Sequence, residues 1–108
     1  MKYLTFIELQ GFSKHRQLLM NDEEYRQFQL FLLENYTKGR YIQNTGGCQK
    51  IRWAIGNKGK SGGVRVIYYV VAPKGKIYLL LMYAKNEQAN LTTEQRSIVK
   101  KLVEKLEE

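Results

Sequence analysis

The sequence predicts an α+β fold with a small, largely antiparallel sheet packed against helices, in the order β-α-α-β-β-β-α. Three observations predict it. Val64 to Ala72 and Ile77 to Ala84 are near-continuous β-branched, aromatic and aliphatic runs, separated only by Pro73-Lys-Gly-Lys76, which reads as a hairpin. Apolar residues recur at helical spacing before and after this block. The chain has 108 residues, 44% of them apolar, enough for one domain over 1–108 with a modest core and too few for two.

Tyr3 to Leu9 alternates as a short strand ended by Gly11. Ser13 is a candidate cap for a first helix to about Met20. Asn21 or Asp22, followed by Glu23 and Glu24, starts a second helix whose apolar face is Tyr25, Phe28, Leu32 and Leu33, and which ends near Tyr36. Gln43-Asn-Thr-Gly-Gly47 is turn chemistry. In Gln49 to Ile55, Ile51, Trp53 and Ile55 alternate with Lys50 and Arg52, giving a half-buried strand with a basic outer face. Gly56 to Gly63 holds four glycines and two lysines and reads as a loop. Of the two long strands, Ile77 to Ala84 is expected at the centre of the sheet. A last helix from Thr92 or Thr93, with Glu94 and Gln95 in its first turn, places Ile98, Val99, Leu102, Val103 and Leu106 on one face.

Charge is strongly segregated along the chain. From Asn35 to Asn86 there are ten lysines and arginines and no aspartate or glutamate, so this block contributes +10 and the flanks −2 to the net +8. A cationic field carried by strands presents a fixed surface to polyanions. The single cysteine, Cys48, excludes an internal disulfide and leaves no cysteine cluster for zinc. No stretch has the length and hydropathy of a membrane span or a signal-peptide core, so a cytoplasmic protein without cofactor or metal is expected.

Three chemical signals are set aside. Ala54-Ile-Gly-Asn-Lys-Gly-Lys-Ser61 comes within one residue of a phosphate-binding loop, but it runs into a strand rather than a helix. His15, the only histidine, falls in a short helix as a surface or packing residue. Cys48 has no histidine partner and reads as a buried thiol. What remains is cationic and aromatic: Lys50 and Arg52 on one strand, Arg65 on the next, Lys85 and Asn86 after the third, and Lys58 and Lys60 on the intervening loop. Tyr83, near Lys85, is the tyrosine most open to a functional role.

Three strings carry a resemblance: Gly46-Gly-Cys-Gln-Lys-Ile-Arg-Trp53, Gly59-Lys-Ser-Gly-Gly-Val-Arg-Val-Ile-Tyr-Tyr69, and Tyr78-Leu-Leu-Leu-Met-Tyr-Ala-Lys-Asn-Glu-Gln-Ala-Asn-Leu-Thr92. Together they resemble the RelE/HigB superfamily of toxin–antitoxin toxins, nearest its HigB-like branch of RelE type. The resemblance implies a RelE-like microbial ribonuclease-type fold. It also implies a toxin that cuts messenger RNA in the ribosomal A site by metal-independent attack of the 2′-hydroxyl, restrained by a helix-turn-helix antitoxin. By position it implies Lys50 in proton transfer, Arg65 on the phosphorane, Arg52 and Lys85 on phosphates, and Tyr83 or Lys85 as the acid. Lys58, Lys60 and Asn86 are expected to contact RNA. Where the family pattern has a second arginine this chain has Asn86, and where it has a late tyrosine this chain has Thr92. The alternatives are a non-catalytic nucleic-acid-binding module and a toxin relic acting through antitoxin binding and operon repression.

Overall fold

The structure is a computed structural model that describes residues 4–54 and 63–106. Its elements are β1 (Thr5–Glu8), α1 (Gln10–Leu19), α2 (Asp22–Asn35), β2 (Arg40–Tyr41), β3 (Gln49–Trp53), β4 (Val64–Val71), β5 (Lys76–Ala84) and α3 (Thr93–Leu106). The strands form one sheet in the order β1-β5-β4-β3-β2, antiparallel except for the β1–β5 pair. The α+β class and the helix order agree with expectation. The middle strand is β4, and β5 lies beside it, because the two-residue β2 adds a strand beyond β3. Residues 55–62, including Lys58 and Lys60 and most of the loop-like motif, lie outside the described residues.

Strand alternation divides the core into two layers. On one face Val64, Val66, Tyr68 and Met82 pack with Phe12, Tyr25, Phe28 and Leu32 of α1 and α2. On the other, Ile67, Tyr78, Leu80 and Tyr83 meet Leu91, Val99 and Val103 at α3. Full burial of residues such as Phe12, Phe28, Leu32 and Ile67 contributes roughly 1.5–3 kcal/mol each. A register shift between Ile67 and Tyr68 breaks the β4–β5 alternation. Leu33 and Ile98, expected in the core, are exposed, since each helix buries only a narrow stripe against the flat sheet.

Helix starts show where local signals hold. Asn21 caps α2: its Oδ1 accepts from the Glu24 N–H at 2.7 Å and its own N–H donates to Glu24 Oε1 at 3.0 Å. Thr92 and Gln95 make the same reciprocal pair before α3. By contrast α1 begins at Gln10, three residues before Ser13, with Leu9 at its cap and no capping side chain. Ser13 instead donates to Glu8 Oε1 at 2.7 Å. Gly11 therefore lies inside α1, whose backbone approaches β5 there; an added Cβ would meet Leu81 Cδ2 at 3.4 Å.

The segment after α2 is pinned from below. Tyr68 is fully buried and its hydroxyl donates to the Tyr36 carbonyl at 2.8 Å. Gln49 Nε2 donates to the carbonyls of Tyr36 and Gly39, both at 3.1 Å. A Cβ at Gly39 would collide with the Tyr68 hydroxyl. These contacts fix the path of Lys38 to Arg40, and hence β2, against the sheet edge.

Candidate nucleic-acid interface

Register decides which cations meet. Arg52 stands opposite Arg65, and Arg65 opposite Tyr83, so one row crosses β3, β4 and β5. Arg40 stands opposite Lys50 and Lys50 opposite Ile67, forming the next row. Directly opposed side chains share a face, so Arg40, Lys50, Arg52 and Arg65 all project on the α3 side. They line a cleft of about 500 Å³ with Lys38, Lys85, Ile51, Ala89 and Asn90. Among the described residues its wall has six cationic side chains and no carboxylate.

Arg65 is the deepest of them, at 6% exposure. Its one hydrogen bond among the described residues runs to the Val64 carbonyl at a long 3.4 Å. Burial, and then the neighbouring Arg52 charge, push its guanidinium below the ordinary arginine value, while Tyr83 opposes that shift. Lys50 is also held below the ordinary lysine value, first by burial and then by Arg65, Arg40, Arg52 and Arg96. Its Nζ donates to Asn90 Oδ1 at 3.1 Å. Gln88 Nε2 braces that loop by donating to the Asn90 carbonyl at 3.0 Å and to Gln95 Oε1 at 2.8 Å.

The structure brings together Lys50, Arg52, Arg65 and Lys85. Tyr83 is 4% exposed, beside Arg65 in the same cross-strand row, and outside the cleft lining. Its buried hydroxyl has no partner among the described residues, and burial raises its pKa against the lowering effect of Arg65. Asn86 sits exposed in the turn after β5 and does not line the cleft. Thr92 caps α3. Sequence reasoning missed Lys38, Arg40 and Asn90. The first two lay within the acid-free block, while Asn90 meets Lys50 across 40 residues of chain.

Among the described residues no group of three His, Cys, Asp or Glu side chains could hold a metal ion. No helix among them is long and apolar enough to cross a membrane.

A mixed sheet carrying a carboxylate-free cationic cleft defines a class of small basic protein that presents a fixed surface to anions. The chain belongs to the RelE toxin family: residues 32–108 match the family described as "RelE toxin of RelE / RelB toxin-antitoxin system". It is thus a toxin of a toxin–antitoxin system. Among solved structures it is similar to a double arginine-to-alanine mutant of E. coli toxin RelE in the free state, with a TM-score of 0.61 and 17% identity over 95% of this chain and 99% of that one. It is also similar to the isolated E. coli RelE toxin in its P21 form, with a TM-score of 0.53 and 17% identity over 93% and 98% of the two chains. At that identity the likeness speaks for the fold.

Proposed function

We propose that the protein is an mRNA endonuclease that cuts messenger RNA in the ribosomal A site, without a resident metal, and so arrests translation. The observation that carries this reading is Arg65: a buried guanidinium with no carboxylate partner among the described residues, opposite Arg52 in a carboxylate-free cleft. An unpaired buried cation is costly, and a bound phosphate relieves that cost.

In the proposed reaction the ribose 2′-oxygen attacks the adjacent phosphorus and loses its proton. The P–O5′ bond breaks, leaving a 2′,3′-cyclic phosphate and a 5′-hydroxyl. Lys50, its ammonium disfavoured by burial and neighbouring cations, accepts the proton. Arg65 stabilises charge on the phosphorane oxygens, helped by Arg52. Lys85, exposed on the cleft wall, supplies the proton to the leaving oxygen in preference to Tyr83, which is buried and outside the cleft lining. Lys38 and Arg40 extend the phosphate path, and Lys58, Lys60 and Asn86 make further contacts to RNA.

Within the family we place the chain with HigB-like members of RelE type on its strand and loop motifs. Its partners in this reading are the ribosome with its mRNA and a helix-turn-helix antitoxin with an acidic or amphipathic segment that covers the basic sheet. The protein acts in the cytoplasm, where its substrate is. Induced expression with mapping of messenger 5′ ends tests the reading. Codon-phased cuts and growth arrest are expected from the wild type and neither from Arg65→Ala; equal cutting by the variant would exclude the site.

A further inference from the structure

β2 covers only the start of β3, through the pairs Arg40–Lys50 and Tyr41–Gln49. Beyond them, from Ile51 to Trp53, the outer edge of β3 has no strand neighbour among the described residues. A second cavity of about 400 Å³ lies at the end of β3, lined by Phe31, Arg52, Trp53, Ala54 and Arg65. Arg52 and Arg65 also line the cationic cleft, so the two spaces share a wall of guanidinium groups. The rest of the lining is aromatic and apolar. Trp53 is braced from α2, with Phe31 at 4.9 Å between ring centroids and Phe28 edge-on at 5.8 Å. Both Trp53 and Phe31 remain partly exposed.

We infer that this slot is a nucleobase pocket, which takes the base of the nucleotide whose phosphate lies on Arg52 and Arg65. The inference rests on the RNA reading given above. A phosphate on the shared wall leaves its own nucleotide beside two surfaces on which a base stacks: an indole ring and a planar guanidinium. Among the described residues no amide or carboxylate side chain lines the slot, so it selects by stacking area and prefers purines without specifying one base.

Trp53 is the only tryptophan, so intrinsic fluorescence reports directly on the slot. The probes are a short purine 2′-O-methyl oligoribonucleotide, which lacks the attacking hydroxyl, and an abasic oligomer of equal length and charge. The base-bearing oligomer is expected to quench Trp53 and to bind about 5- to 150-fold more tightly than the abasic one, the span of one stacked base. Phe31→Leu and Trp53→Leu, each checked for retained circular dichroism, are expected to shrink that ratio while leaving abasic binding unchanged. If Trp53→Leu does not fold, Phe31→Leu and the wild-type fluorescence decide. Equal affinity for both oligomers with unchanged fluorescence would overturn the pocket and leave RNA binding standing. Failure of both oligomers to bind, together with no cleavage on programmed ribosomes, would overturn both readings. Quenching by an extended acidic peptide but not by the oligonucleotide would make the edge a protein-docking strand instead.

Discussion

Arg52 and Arg65 stand directly opposite each other across β3 and β4, two like charges in a position where sheets gain from opposite ones. The one ion pair among the described residues, Arg16–Asp22 at 3.0 Å, lies elsewhere, on the helical layer. Arg65 is also nearly buried. The free protein therefore carries electrostatic strain at its cleft, and an anion seated between the two guanidiniums would relieve it.

Arg65→Met removes that strain while keeping an unbranched stem in place of the buried part of the side chain. Stability should rise by about 1 kcal/mol, the scale of an unfavourable cross-strand pair and of common stabilising changes. For a domain of this size that is about 4–8 °C in Tm. Thermal unfolding with and without inorganic phosphate checks it: phosphate should raise the Tm of the wild type more than that of the variant. A variant less stable than the wild type, with an equal phosphate response, would contradict the strain.

Lys50 gives a pH dependence of definite sign. Its folded-state pKa lies below the ordinary lysine value of 10.5, so as pH rises the folded protein gives up this proton before the unfolded chain does. Its charge costs stability at lower pH, and that cost disappears between the depressed pKa and 10.5. Single-turnover cleavage should likewise rise with pH about tenfold per unit and level off below 10.5. In Lys50→Arg, which keeps the charge but not a usable base, the rising limb should vanish while RNA affinity stays within a few-fold.

Two glycines should respond in opposite directions to alanine. At Gly39 the new Cβ collides with the fully buried Tyr68, whose hydroxyl holds the Tyr36 carbonyl. A loss of about 2 kcal/mol and a displaced Lys38–Arg40 segment are expected, with weaker RNA binding. At Gly11, inside α1, the Cβ meets only ordinary contacts, and helix propensity should add about 0.5–1 kcal/mol. Urea unfolding of both variants provides the comparison.

Cys48 should be chemically silent. The residue is fully buried, and burial pushes its thiol up to about 11. At neutral pH iodoacetamide should label it only as fast as the protein unfolds. Cys48→Ala should leave cleavage unchanged and cost about 1–2 kcal/mol in stability. Rapid labelling of the native protein, or loss of cleavage, would overturn this assignment.

The fold was legible wherever local chemistry and packing agree. The capping signals at Asn21 and Thr92, the Val64–Ala84 hairpin and the Gln43–Gly47 turn are written in adjacent residues; the turn indeed places Asn44, Gly46 and Gly47 at positive φ of 64°, 78° and 113°. Gly11 misled because it reads as a stop, whereas close approach of α1 to β5 makes it an interior residue. β2 was invisible because two residues carry no periodicity; tertiary contacts from Tyr68 and Gln49 create it. In the cleft, Lys50, Arg52, Arg65 and Lys85 were found from strand alternation and the acid-free block. Arg40, Lys38 and Asn90 were missed because their meeting depends on sheet order and a long-range loop contact. The burial of Tyr83 was not legible because it depends on a row that crosses three strands and sets it beside Arg65.

The most direct test of the account is the ratio of single-turnover mRNA cleavage rates by wild type and Arg65→Ala on programmed ribosomes, measured beside their ribosome affinities. The account predicts a 2′,3′-cyclic phosphate product and a rate loss of about 100-fold or more, while affinity falls about tenfold or less. An unchanged rate at saturating protein, or a loss wholly explained by weaker binding, would contradict the claim that Arg65 acts on the transition state.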